Sequence, residues 1–219
     1  MGQAIDLLKN YPKTARDLTA RVTSKSEESR NLARRFDKEY FDGDRNNGYG
    51  GFYYNEKYWR GVIPDIISRY NLTPDSKVLD IGCAKGFFLY DLKTAIPGIF
   101  IKGVDVSTYA ITNALPEVKS ELLIANAVNL PFADNFFDFV ISINTVHNLS
   151  ITDCGLALKE IERVSKGSSF ITVDAYHNEE EKIRMEAWNL TALTMMSCVE
   201  WELFFKKVGY SGDYYWFIP

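Results

Sequence analysis

The stretch Val78-Leu79-Asp80-Ile81-Gly82-Cys83-Ala84-Lys85-Gly86 decides the fold. Its first four residues are a short, almost wholly apolar run. A strand apolar on both faces belongs inside a parallel sheet with helices on either side. Two glycines follow, and 86–95 reads as a helix. The turn therefore lies at the carboxyl end of the sheet, where open α/β sheets bind ligands. Gly82 and Gly86 let the backbone approach such a ligand closely. The run is not the dinucleotide fingerprint G-x-G-x-x-G, because Ala84 stands at the second glycine and Phe87 at the third.

Outward from this turn, short apolar runs alternate with helical stretches. The runs are VLDI at 78–81, IFIKGVDV at 99–106, ELLIAN at 121–126, FDFVISIN at 137–144 and SFITVDAY at 169–176. Helices are expected at 86–95, 153–166 and 199–208, with room for one strand after the last. Upstream, 3–40 reads as helix interrupted near Pro12. The run FDGDRNNGYGGFYYNE at 41–56 reads as a glycine- and tyrosine-rich loop, and 57–70 as a second helix with Trp59, Val62, Ile63, Ile66, Ile67 and Tyr70 on one face. The expected architecture is α/β: a Rossmann-like, doubly wound, mostly parallel sheet of six or seven strands with an N-terminal helical cap. Residues 1–74 form the helical extension and aromatic lid, and residues 75–219 the ligand-binding domain.

Composition narrows the function classes. The 219 residues are 46% hydrophobic and 25% charged, as in ordinary globular domains. The net charge of −4 excludes a globally basic nucleic-acid surface. Three scattered cysteines, Cys83, Cys154 and Cys198, form neither a disulfide framework nor a metal spacing. No apolar run reaches membrane-spanning length and the N-terminus lacks a signal core, so a cytoplasmic setting is expected, without nucleic-acid or membrane partners. The charge is uneven: residues 1–60 hold 12 Lys and Arg against 9 Asp and Glu, and the remainder holds 13 against 20. Such a division is either a solvated helical face or a basic segment that meets an anionic ligand.

Side chains at the strand ends suggest what binds. Asp105 ends the second strand, where a carboxylate accepts hydrogen bonds from a ribose hydroxyl pair. Asn126 ends the third, where an amide can meet an adenine edge. The motifs VLDIGCAKG, GVDVS, ANAVNLPFADNFFDFV and SINTVHNL, in this order over about residues 75–175, resemble the class I S-adenosylmethionine-dependent methyltransferases. That resemblance implies a seven-stranded sheet and S-adenosylmethionine as cofactor. It implies that Asp80, Gly82, Cys83 and Gly86 surround the methionine part. Asp105 would hold the ribose, with Val106 beside the adenine, Asn126 and Ala127 at its edge, and Asn144 near the sulfonium. Two departures stand out. Many members have Asp where this chain has Asn126, and the family's terminal antiparallel pair has room for one strand only, so the fold is trimmed or the chain incomplete at its C-terminus. The run FDGDRNNGYGGFYYNEKYW, with DAYHNEEEK and GDYYWFIP, resembles a subgroup associated with bacterial surface-polysaccharide and natural-product gene clusters.

The acceptor side is read from the rim. Both histidines follow strands: His147 after the fourth and His177 after the fifth. Asp174 and Tyr176 stand beside them as alternative bases or acceptor ligands, and each is otherwise a structural or exposed residue. Tyr49 and Tyr53 belong to the aromatic loop, read as a lid over cofactor and acceptor. Arg45, with Arg34, Arg35 and Arg60, suits a phosphate or carboxylate. No metal is expected. The expected reaction is methylation of a small polar acceptor, favoured as O-methylation of a sugar, nucleotide-sugar or phosphate-bearing intermediate of surface-glycan or natural-product biosynthesis. The alternatives are N-methylation of an amino sugar or small amine and a catalytically silent nucleotide-binding module. The chain is free to oligomerise.

Overall fold

The computed structural model describes residues 2–12, 26–48 and 53–218. Seven strands and their helices follow in chain order. The cap contributes α1 (Glu27–Ala33), α2 (Lys38–Asp42) and α3 (Ile63–Tyr70). Then come β1 (Lys77–Ile81), α4 (Phe87–Ala95), β2 (Phe100–Asp105), α5 (Thr108–Thr112), α6 (Pro116–Lys119), β3 (Leu122–Ile124) and β4 (Phe139–Ile143). The chain closes with α7 (Ile151–Val164), β5 (Ser169–Tyr176), α8 (Glu179–Trp188), β6 (Met196–Ser197), α9 (Cys198–Val208) and β7 (Asp213–Phe217).

The sheet runs β3-β2-β1-β4-β5, and both β6 and β7 pair with β5. Every named pair is parallel. The antiparallel ending drawn from the resemblance is absent here: β5, β6 and β7 are each separated by a helix, and a helical crossover returns the chain to its starting end, so the strands keep one direction.

Alternation along each strand divides the core into two layers. Val78, Ile101, Phe139, Ile141 and Phe170 meet Ile63, Ile66, Leu89 and Leu92 of α3 and α4 on one face. Leu79, Ile81, Val140, Ile171 and Val173 meet Leu158, Ile161, Trp201 and Phe205 of α7 and α9 on the other. This is the doubly wound arrangement that the apolar runs predict. Local chemistry sets the helix ends. Ser150 accepts from the Asp153 amide at the start of α7, and Ser197 and Glu200 close a reciprocal cap on α9.

The N-terminal stretch differs from its expectation. Residues 2–12 are not helical. Ala4 bridges Tyr214 of β7 in parallel, with the Ile5 amide donating to the Tyr214 carbonyl at 2.8 Å and the Tyr214 amide to Gln3 at 3.0 Å. Strand pairing thus satisfies the backbone groups that a helix would have satisfied, and it buries Leu7. The second cap helix begins at Ile63 instead of 57, with Pro64 in its first turn, where a missing N–H costs nothing. Among the described residues no helix is long and apolar enough to cross a membrane.

Candidate active site

The carboxyl end of β1 builds the centre of the site. Gly82 and Gly86 take φ of +80° and +79°, a left-handed backbone that glycine adopts without penalty. A Cβ on Gly82 would overlap the Thr145 side chain beyond β4. The turn is therefore clamped between β1 and the β4 rim, with the Gly82 and Cys83 amides donating to the Val104 carbonyl and the Gly86 amide to the Cys83 carbonyl. Ala84, also at positive φ, donates its amide to Asp105 Oδ2 at 2.8 Å, and Ser107 donates to Oδ1 at 2.8 Å. With the Val106 amide as a further donor, the Asp105 carboxylate keeps acceptor capacity for a ligand hydroxyl.

Asp80 and Asp105 are 6% and 9% exposed. Burial, helped by the neighbouring Asp105 charge, pushes Asp80 up to about 8. Burial also raises Asp105, against the pull of its Ser107 and Ala84 hydrogen bonds. A cationic ligand placed beside this buried acid pair would offset the cost of ionising it. The adjoining Val106 is 58% exposed, an apolar surface beside Asp105. A glycine cradle, a hydroxyl-binding acid and an apolar ledge together fit S-adenosylmethionine, whose sulfonium and ammonium are cations.

The other expected cofactor residues fall at the same rim. Asn126 is exposed just past β3, and its side chain accepts from the Val128 amide at 3.2 Å, turning the chain at the sheet edge. Ala127 is half-buried against the second core layer. Asn144 follows β4 at φ +50°; Thr172 Oγ1 donates to its Oδ1 at 2.8 Å, fixing the amide between β4 and β5. Cys83 differs from its neighbours: its thiol turns into the core between the turn and Gly103 of β2. Only its backbone remains on the ligand side.

The acceptor residues divide into buried and exposed groups. His147 is 3% exposed. Its Nδ1 accepts from the Asp174 amide at 3.3 Å, and its Nε2 lies 3.7 Å from Asp174 Oδ2. Burial lowers its pKa, opposed by the Asp174 charge, so the ring stays neutral with its proton on Nε2. Its carbonyl accepts from Leu193 and Thr194. His147 and Asp174 are thus brought together, inside the protein, where they tie the β4 rim to β5 and the segment before β6. His177 is exposed and points elsewhere: its amide and Nδ1 meet Glu181 Oε2 at 2.7 and 3.0 Å, at the start of α8. Tyr176 lies half-buried, its hydroxyl 3.5 Å from Glu200.

In the lid segment, Tyr49 lies outside the described residues. Tyr53 is 77% exposed, whereas Tyr54 packs on Phe87 and Tyr90 and donates to Asp91 at 2.6 Å. The backbone of Arg45 lies in a short helical turn, Arg45–Asn47. Arg34 caps the end of α1, 4.0 Å from Glu27, and Arg30 of that helix donates to the Asn189 carbonyl at 3.3 Å. That contact carries α1 toward the segment after α8. Reasoning from sequence missed Arg30, Thr145, Thr172 and the cluster around Lys85. Only Lys85 had a local signal, as a cation set between two glycines of a ligand turn.

Residues 79–173 match the family model described as a methyltransferase domain. Over these residues the chain is similar to that family. The match spans β1 to β5, and so contains the glycine turn, Asp105, Asn126 and Asn144. The chain is 33% identical over 112 residues to an Arabidopsis thaliana tRNA (carboxymethyluridine(34)-5-O)-methyltransferase, covering 51% of this chain and 26% of that protein. It is 33% identical over 138 residues to the demethylmenaquinone methyltransferase of Bacillus velezensis, covering 60% of this chain and 57% of that one. The chain thus spans less than two-thirds of the length of these relatives. Among solved structures, Haemonchus contortus phosphoethanolamine N-methyltransferase 2 shares the fold at a TM-score of 0.59 and 21% identity, covering 81% of this chain and 44% of that one. That solved structure contains S-adenosylhomocysteine, the demethylated product of S-adenosylmethionine.

Proposed function

We propose that the chain methylates a small polar acceptor, with an oxygen of a sugar, nucleotide-sugar or phosphate-bearing intermediate of surface-glycan or natural-product biosynthesis as the favoured target. The observation that carries the transferase reading is the β1 turn: left-handed Gly82 and Gly86, with the Ala84 amide on the ribose acid Asp105. S-adenosylmethionine, when bound, would supply a methyl on a cationic sulfur: the acceptor oxygen would form the new bond to that methyl in line, the methyl–sulfur bond would break with S-adenosylhomocysteine leaving, and the hydroxyl proton would pass to solvent. The protein's own work is placement. Asp105 takes the ribose hydroxyls, Asp80 and the turn take the charged amino-acid end, and Asn144, fixed by Thr172, stands near the sulfonium. Holding two reactants in line contributes up to ~7–11 kcal/mol in model reactions, so positioning alone accounts for much of such a rate.

The acceptor lies at the rim of β4 and β5, beneath the cap. His147 and Asp174 set the shape of this rim, and Tyr176 and His177 bound it. Arg34, Arg35 and Arg45 of the cap supply positive charge for a phosphate or carboxylate, and Tyr49 and Tyr53 supply the lid that excludes water. The relatives are named for acceptors as unlike as a tRNA uridine and demethylmenaquinone, so their kinship supports the transfer and leaves the acceptor to this chain's own rim. Calorimetry with S-adenosylmethionine and S-adenosylhomocysteine tests the cofactor site. Radiolabelled methyl transfer to sugar phosphates, nucleotide sugars, amino sugars and bulk tRNA tests the acceptor. Label entering the oxygen acceptors supports the proposal; label entering tRNA or amines alone overturns the acceptor class, and no cofactor binding overturns the whole reading.

A further inference from the structure

Lys85 stands within the cofactor turn, where a free ammonium would repel a cationic cofactor. The structure holds that ammonium elsewhere. Nζ donates to Oδ1 and Oδ2 of Asp42 at 2.6 and 2.8 Å, with the two side chains 8% and 19% exposed. The Tyr109 hydroxyl donates to the same Asp42 Oδ2 at 2.7 Å. Although burial raises the Asp42 carboxyl, the Lys85 and Tyr109 hydrogen bonds hold it below the ordinary carboxylate value. Asp42 ends α2 of the cap, and Tyr109 lies in α5, directly beyond the ribose acid. A second tie lies close by, where Ser107 Oγ donates to the Phe36 carbonyl.

These bonds join the cap to both loops that would grip the cofactor. Lys85 adjoins Ala84, whose amide holds Asp105, and Ser107 donates its own amide to the other oxygen of Asp105. With both ties made, Asp80 and Asp105 are nearly sealed from solvent, while Val106 between the loops stays open. Residues Phe36 and Asp42 thus touch the loops that follow both β1 and β2, beside the two carboxylates. We propose that Asp42, Lys85 and Tyr109 form a clasp that seats the cap over the ribose and methionine end of the cofactor pocket, so that cofactor enters and leaves only when the clasp opens. The three act as positioning residues, and the inference rests on the methyltransferase reading above.

A clasp of this kind is a kinetic gate. Weakening it speeds association and dissociation together, whereas loss of a simple cofactor contact speeds dissociation alone. The test measures S-adenosylhomocysteine binding to the full chain by calorimetry and by stopped-flow tryptophan fluorescence. Tyr109→Phe removes one hydrogen bond and leaves the ion pair to hold the fold. The paired variant Asp42→Asn with Lys85→Met removes both charges, so that neither is stranded. Both should raise the two rate constants about tenfold or more, the scale of one charge-assisted hydrogen bond, and leave the dissociation constant within a few-fold. Melting curves of the cofactor-free proteins separate a folding defect from a faster gate. Wild-type rates in both variants overturn the clasp alone, as does faster dissociation with unchanged association. Failure of the wild-type chain to bind S-adenosylhomocysteine overturns the methyltransferase reading, and the clasp with it.

Discussion

Cofactor binding should release a proton, and Asp80 is its source. In the free protein burial and the Asp105 charge keep the Asp80 carboxyl protonated up to about 8. A cationic amino group placed beside it reverses this balance, because an opposite charge within a few ångströms favours the carboxylate. At pH 7 the free group lies about one unit below its midpoint, so binding must expel roughly nine-tenths of a proton, at about 1.4 kcal/mol or a tenfold loss of affinity. The affinity for S-adenosylhomocysteine should rise about tenfold per pH unit between pH 6 and 7.5, then level off above pH 8. Calorimetry in two buffers of different ionisation enthalpy counts the proton directly. Asp80→Asn should flatten the profile, and Asp105→Asn should move its upper limb to lower pH by removing the neighbouring charge. The stability of the free protein follows the same sign. A carboxyl raised in the folded state contributes stability below the unfolded value of 3.8, and loses it as pH climbs toward about 8. Cofactor-free wild type should therefore lose melting temperature toward alkaline pH faster than Asp80→Asn does. A flat affinity profile with no buffer dependence would refute the argument, since it would mean that Asp80 does not meet the cofactor's charge.

Other perturbations test neighbouring parts of the site. Gly82→Ala combines a φ of +80° with a Cβ driven into Thr145, so it should cost at least the ~1–2 kcal/mol of a left-handed backbone, read as a lower melting temperature, together with loss of cofactor binding. His147→Ala should lower turnover while leaving cofactor affinity nearly intact. Because the ring is buried on the Asp174 amide it should also lower the melting temperature, and wild-type turnover would reduce His147 to a structural role. Neutralising Arg34, Arg35 and Arg45 should raise the Michaelis constant for an anionic acceptor with little change in cofactor affinity; an unchanged constant would return the basic segment to a solvated surface.

The parallel sheet was legible because its signals are local. VLDI and FVISI are apolar on both faces, and the two core layers observed are the two parities of those runs. The gathering of Asp80, Asp105, Asn126 and Asn144 on one rim was legible for the same reason, since each sits at or just past a strand end that the apolar runs delimit. What remained hidden depends on contacts distant in sequence. Residues 2–12 have leucines at helix-compatible spacing, but their backbone partner is Tyr214, more than two hundred residues away, and no local pattern announces that pairing. His147 looked like an exposed rim base because it follows a strand. Its burial comes from Asp174 on β5 and from the backbone of Leu193 and Thr194, which close over it.

Lys85 shows how far a local anomaly can carry an argument before the fold is needed. Its position required a compensating anion, because an uncompensated cation would oppose the ligand for which the turn is shaped. The sequence offered Asp37, Asp42 and Asp44 within the cap, all within a few residues of one another and equal by type. The helix caps decide among them. Asp37 accepts from the Glu39 amide and Asp44 from the Asn46 amide, so both are committed to turns of the cap itself. Asp42, at the last position of α2, has no such amide to cap and is left to reach across to Lys85 and Tyr109. The uneven charge of the chain thus has a specific local meaning at this point: an acid of the basic cap neutralises a base of the acidic sheet domain.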